Sequence, residues 1–189
     1  MAATESTMLE LGTPAPDFAL PATDGSIVTR DSAMGDAGLL VMFICNHCPF
    51  VIHIADELAR IGRHCQANCV GCVAINSNDV ANYPDDSPER MREEAKRRGY
   101  TFPYLFDETQ EVARAFHAAC TPDFFLFNAD GKLVYRGQLD DSRPGNDAPV
   151  TGADLRAAIA ATVRNKPCAE QQWPSVGCNI KWKPGSAPA

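Results

Sequence analysis

The chain has 189 residues, 45% of them hydrophobic and 22% charged, with a formal net charge of −7 at pH 7. That size suits one domain with a substantial core, and the acidic balance argues against nucleic acid or an anionic membrane as a partner. No run approaches the ~20 apolar residues of a membrane-spanning helix, and Met1–Glu10 has neither a basic region nor an apolar stretch, so a cytoplasmic protein is expected.

In chain order, Asp17–Leu20 and Ser26–Arg30 flank Thr23-Asp24-Gly25, an Asp-Gly turn that predicts a hairpin. Leu39–Ile44 is an unbroken apolar run, the pattern of a strand buried on both faces. A helix follows from about Pro49, which needs no N–H in a first turn, to Arg63. Val51, Ile54, Ala55, Leu58 and Ile61 share one face of it. Val70–Ile75 is a second buried strand and completes a βαβ unit with a right-handed crossover. Asp86-Ser87-Pro88 opens a polar helix that Gly99 ends, Phe102–Phe106 reads as extended, and Glu108–Phe116 as a short helix. Asp123–Phe127 and Lys132–Arg136 flank Asn128-Ala-Asp-Gly131, a second hairpin signal. Thr151-Gly-Ala-Asp154 has the spacing of a capping box for a last helix, with Leu155, Ala158, Ile159 and Val163 turned inward. Asn165-Lys166-Pro167 ends that helix.

This order defines an α/β, thioredoxin-like fold. It has a central mixed β-sheet flanked by helices, an N-terminal β-hairpin, a helical insertion and a C-terminal tail. Residues 1–166 read as that domain and 167–189 as a tail packed on it. Pro174–Lys183 is too patterned for a disordered end, and Ile180 and Trp182 can anchor it.

A reducing cytoplasm rarely holds structural disulfides, so the eight cysteines read as catalytic thiols, metal ligands or small core residues. Cys45-Asn-His-Cys48 falls at the junction of the first buried strand and its helix. The positive end of a helix dipole there favours a thiolate and lowers the pKa of Cys45. Bringing a thiol from about 8.5 to about 7 needs about 2 kcal/mol. The helix N-terminus supplies roughly 0.3–1 kcal/mol, or ~2 if partly buried. His47 can supply the rest as an imidazolium or hydrogen-bond donor; the plainer reading of His47 is an exposed turn residue.

Cys45-x-x-Cys48 and Cys69-x-x-Cys72 have the spacing of a four-cysteine zinc site, but the intervening helix would hold the pairs apart. Fifteen helical residues span about 22 Å, against a zinc–sulfur bond of about 2.3 Å. Cys65, Cys69 and Cys72 could cluster at the far edge, though such cysteines are more often small buried hydrophobes. Cys45 and Cys48 therefore read as a redox dithiol. Cys45, nearer the strand end and more exposed, would attack through a mixed disulfide, and Cys48, in the first helical turn, would resolve it.

In a thioredoxin-like chain Thr121-Pro122 would be the cis-proline facing the dithiol, its loop pairing with an extended substrate. Cys120 is then a third redox thiol or a small residue beneath the loop. Asn78, Asp79, Asp140, Asp141 and Arg143 are weak candidates in loops that could border the site.

The chain resembles the peroxiredoxin-like (redoxin, alkyl hydroperoxide reductase-like) branch of the thioredoxin superfamily, and most closely its "peroxiredoxin-like 1" group. Carrying the likeness are Gly12–Leu20, Cys45-Asn-His-Cys-Pro-Phe50, Ile75–Asp79, Phe102–Leu105, Cys120–Phe127, Tyr135–Gln138, Asp140–Pro144 and Gly177–Trp182. The resemblance implies thiol redox chemistry without fixing a substrate. Two positions depart from the wider pattern. Peroxiredoxins carry Thr or Ser three residues before the peroxidatic cysteine; that position is Met42 counted from Cys45 and Cys45 counted from Cys48. Thioredoxins carry a buried acid six residues before the first cysteine, here Leu39.

The reading that emerges is a thiol–disulfide oxidoreductase acting on a protein or small-molecule disulfide or thiol, recycled by a thioredoxin and thioredoxin-reductase type system. It calls for no cofactor, metal ion, nucleic acid or membrane. The alternatives are a thiol peroxidase reducing hydroperoxides, and a metal-binding protein without enzymatic activity. Cys178, in the tail, is either a relay thiol brought to the site or part of a segment that only covers an edge.

Overall fold

The computed structural model describes residues 3–188. In chain order the elements are β1 (Ala3–Glu5), β2 (Ala19–Pro21), β3 (Ile27–Thr29), α1 (Arg30–Ala33), β4 (Gly38–Phe43), α2 (Pro49–Ala67), β5 (Val70–Asn76), a 3₁₀ turn (Pro84–Asp86) and α3 (Pro88–Arg98). After these come β6 (Tyr104–Phe106), α4 (Glu111–Ala115), β7 (Cys120–Thr121), β8 (Asp123–Asn128), β9 (Leu133–Gly137), α5 (Ala153–Val163) and β10 (Val176–Asn179). Among the described residues no helix is long and apolar enough to cross a membrane.

All of β4 is buried, as its apolar sequence requires. Its side chains alternate between two cores. Leu40 and Met42 join the cluster that holds the inner faces of α2 and α5, whereas Leu39, Val41 and Phe43 join one built on Phe116, Phe125 and Phe127. β4 pairs antiparallel with β8, and β8 with β9. β5 pairs parallel with β6 and lies beside β4, where the Ile44 N–H donates to the Ile75 carbonyl at 3.0 Å. The result is the expected mixed sheet with helices packed on it.

The hairpins form where the turn residues place them, as β2–β3 and β8–β9. α2 runs one turn beyond the expected end, because Ile61 and Cys65 continue its buried face. β6 and α4 are shorter than the ranges expected for them.

The capping box at Thr151 does not form. The residue before α5 is Gly152, in a left-handed conformation and without a side-chain cap. The Asp140 carboxylate instead takes the N–H groups of Thr151 and Gly152, at 2.7 and 2.6 Å. A charged acceptor at a helix start opposes the dipole more strongly than the Thr151 hydroxyl would.

The tail forms the last strand. β10 lies between β1 and β7 in a second, three-stranded antiparallel sheet, with Cys178 opposite Thr121 and Asn179 opposite Cys120. Gly177 permits this approach, since a Cβ there would overlap the Thr121 carbonyl. Ile180 packs into the aromatic core, with Trp182 against its edge. The Lys181 backbone is tied on both sides: its N–H donates to Asn78 Oδ1 at 2.8 Å, and its carbonyl accepts the Asp79 N–H at 2.8 Å.

Candidate active site

The end of β4 delivers Cys45, and Cys48 is the residue that precedes Pro49 at the start of α2. The two thiols lie close enough for each to shift the other's titration. Both also touch Thr121, whose peptide bond to Pro122 is cis. The Cys45 sulfur lies 3.4 Å from Thr121 Oγ1, and the Cys48 sulfur lies 3.2 Å from the Thr121 carbonyl. Cys178 completes the group from β10: it stands opposite Thr121 and packs in one cluster with Cys45 and Cys48.

The electrostatics correct one expectation. Cys45 is neither exposed nor the favoured thiolate. It is 2% exposed and Cys48 is fully covered. The hydrogen bond shared with Cys48 pushes Cys45 well above the ordinary thiol range, aided by burial and the Asp86 charge and opposed by the Thr121 hydroxyl. Cys48 is lowered, to about 5. The hydrogen bond from the Cys45 thiol is the strongest cause. Burial opposes it, while the Cys178 thiol and the N–H groups of Val51 and Cys178 add to it. The Thr121 carbonyl accepts from Cys48 only while Cys48 is protonated; the surrounding donors outweigh that preference. The donors around Cys48 thus favour a thiolate there over one on Cys45 or Cys178.

His47 is partly buried rather than a free turn residue, and its hydrogen bond goes to neither thiol. Its Nδ1 lies 2.7 Å from Asp86 Oδ2. That bond raises the His47 pKa against the opposing effect of burial. Burial alone would push Asp86 up, but the bonds from His47, Asn78 and the Asn46 N–H leave it lowered. Both shifts favour an imidazolium paired with a carboxylate. Tyr83 stacks on the His47 ring with centroids 5.4 Å apart, and among the described residues the buried His47 Nε2 has no partner. The imidazolium offsets the repulsion that Asp86 would otherwise exert on a thiolate nearby.

Asp86 is the functional residue that the sequence did not disclose. It reads there as a polar helix start, and only its fully buried carboxylate marks it. Asn78, among the weaker candidates, does border the site: it donates to Asp86 at 2.8 Å and holds the tail through Lys181. Asp79 is tied to the tail backbone. Asp140 and Asp141 serve other contacts, at the start of α5 and around Gln138, whereas Arg143 lines a cavity with Phe50 and the cis-proline Pro122.

Cys120 is buried, and its thiol points at the carbonyls of Pro122 and Ser175, at 3.5 and 4.0 Å. Burial and the neighbouring Asp123 push its pKa strongly upward, so it stays protonated. Asp123 does not replace the acid missing at Leu39. It stands opposite Phe43 in the β4–β8 register and therefore faces the aromatic core, away from the dithiol.

At the far end of α2 the cysteines do not all bury as small hydrophobes. Cys65 is covered, but Cys72 is half-buried and Cys69 exposed. Cys69 ends the connection from α2 in a left-handed turn, at φ 56°. Among the described residues, the one group of three metal-capable side chains within 4.8 Å is Cys45, His47 and Asp86. Two of the three, His47 and Asp86, are already bonded to each other.

A buried pair of cysteines at a strand-to-helix turn, in contact with a cis-proline loop beside a mixed sheet, defines a thioredoxin-like protein. The chain belongs to the AhpC/TSA family, whose model matches residues 11–136. An uncharacterized conserved protein of Geobacillus kaustophilus is 55% identical over 98% of both chains, with a TM-score of 0.96. A hypothetical protein of Sinorhizobium meliloti 1021 is 49% identical over 96% of this chain and 100% of its own, with a TM-score of 0.94. A putative thiol:disulfide interchange protein DsbE of Chlorobium tepidum shares the fold at 21% identity and a TM-score of 0.64, over 82% of this chain and 99% of its own. A comparison with curated protein sequences finds no match.

Proposed function

We propose that this chain is a thiol–disulfide oxidoreductase that cycles Cys45 and Cys48 between dithiol and disulfide. The observation that carries this reading is the convergence of both sulfurs on Thr121 at the cis-proline, Cys45 at 3.4 Å from its Oγ1 and Cys48 at 3.2 Å from its carbonyl. Cys45 gives its proton to Cys48 as it attacks one sulfur of a substrate disulfide. The other sulfur leaves as a thiolate and takes a proton. Cys48, deprotonated again, attacks Cys45 of the mixed disulfide and expels the second substrate thiol. The substrate gains two electrons and the Cys45–Cys48 disulfide forms. A thioredoxin-type donor system would return it to the dithiol.

Stabilising the thiolate stabilises the reduced protein and makes the disulfide more oxidising. With Cys48 at about 5, this pair is a stronger oxidant than one whose thiol lies near 7.

A second reading, peroxide reduction, is favoured by the family and by the burial of both sulfurs, which admits a small oxidant more readily than a folded substrate. A hydroperoxide would convert Cys45 to a sulfenic acid and leave as the alcohol; Cys48 would then displace water to close the disulfide. Insulin reduction and peroxide turnover, assayed side by side, test both readings. We expect disulfide reduction that Cys45→Ser abolishes. Turnover of peroxide alone would favour the second reading, and activity independent of Cys45 would refute both.

A further inference from the structure

We infer that Cys178 is a third redox-active thiol of this site, which attacks the Cys45–Cys48 disulfide at Cys48 and carries the protein into a Cys48–Cys178 form. This inference rests on the dithiol reading above.

The geometry comes from the tail strand. β10 takes the edge of β7 with which an extended substrate would pair, in antiparallel register. Cys178 stands directly opposite Thr121, the residue whose carbonyl lies 3.2 Å from the Cys48 sulfur. The chain thus presents one of its own cysteines where a substrate would present its sulfur. Cys178 is 3% exposed and shares a hydrophobic cluster with Cys45 and Cys48. Its placement is tightly specified. Gly177 allows the strand to close on Thr121, Ser175 donates to the Pro122 carbonyl at 2.6 Å, and Ser6 donates its N–H to the Ser175 carbonyl at 2.9 Å. A segment that merely covered an edge would not need to bring a thiol to the central sulfur.

The exchange conserves electrons. The Cys178 sulfur bonds to the Cys48 sulfur, the Cys45–Cys48 bond breaks, and Cys45 leaves as a thiolate that takes the Cys178 proton. No further oxidant is required, because the substrate disulfide has already supplied the oxidation.

The electrostatic setting changes in the direction the step needs. In the reduced site Cys178 is held up, to about 12, by burial first and then by its hydrogen bond to Cys48 and the Cys48 charge; Lys181 works the other way. Once Cys48 is in a disulfide it carries no charge, so both of its effects on Cys178 vanish. The strongest cause holding Cys45 up vanishes at the same moment, which makes Cys45 a better leaving group.

The test uses the intact wild-type protein. It is equilibrated with excess oxidised glutathione, quenched in acid, alkylated and digested with trypsin. Cys45 and Cys48 share the peptide 31–60, and Cys178 lies with Cys168 in the peptide 165–181, so fragmentation must locate the bond. We expect at least a tenth of the oxidised molecules to carry Cys48 bonded to Cys178. In Cys178→Ser that species disappears and Cys45–Cys48 accounts for all of the oxidised protein. Oxidised wild type containing Cys45–Cys48 alone, with Cys178 alkylated, overturns the third thiol and leaves the dithiol intact. Bonds from Cys48 to Cys120 or Cys168 in place of Cys178 overturn it equally. Absence of any bond at Cys45 and Cys48 overturns both.

Discussion

Replacing Cys178 by alanine should raise the Cys48 pKa, because it deletes one of the donors that hold the Cys48 thiolate. A hydrogen bond to a charged group is worth about 1.5–3 kcal/mol. A thiol is a weak donor, so the lower end applies. At 1.36 kcal/mol per pK unit this moves Cys48 by about one unit, from about 5 to about 6. Cys178→Ser supplies a hydroxyl donor at the same place and should leave Cys48 near its native value. The thiolate's ultraviolet absorbance, followed against pH, reads the titration directly, and subtracting the Cys48→Ser curve isolates the one sulfur. If Cys178→Ala titrates with the wild type, the three-sulfur arrangement does not set the charge on Cys48, and the electrostatic reasoning fails.

Three other outcomes follow from the same contacts. His47 is raised by Asp86, so its contribution to stability is complete below 6.5 and is lost as pH rises through its folded value. His47→Gln should therefore lower the melting temperature by about 4–8 °C at pH 6, for a loss of about 2 kcal/mol, with the gap narrowing toward alkaline pH; a gap independent of pH contradicts the ion pair. Gly177→Ala drives a methyl into the Thr121 carbonyl and should cost about 1–3 kcal/mol. It should also loosen β10, and unchanged hydrogen exchange at Thr121 and Cys178 would show that the strand does not need that approach. Phe116→Ala empties the centre of the aromatic core, where Phe43, Phe125 and Phe127 all lie within 5.9 Å of it, and should cost about 3–5 kcal/mol. Because that core lies on the other side of β4 from the dithiol, the Cys48 titration should not move.

What could be read in the sequence was what local chemistry decides. The apolar run of β4 had to be buried, Pro49 had to open a helix, and the Asp-Gly turns had to close hairpins. The place of the dithiol followed from those three facts. What could not be read depends on contacts between distant segments. Cys48 is lowered chiefly by its neighbour Cys45, but the further donor, Cys178, is there only because β10 returns from the far end of the chain. His47 is biased toward its charged form because Asp86, on a separate 3₁₀ turn, is buried against it. A local capping signal at Thr151 lost to Asp140, which reaches the same N–H groups with a full charge.

The central claim is that Cys45 and Cys48 form one redox couple whose poise is set by the Cys48 thiolate. Titrating the protein across glutathione buffers, with the thiol state read by mass, tests it most directly. Because the Cys48 thiol is lowered, the midpoint should lie above thioredoxin's value of about −270 mV, as a two-electron transition that Cys48→Ser removes. A protein whose Cys45 and Cys48 stay reduced at the oxidising limit, or whose transition survives Cys48→Ser, would contradict it.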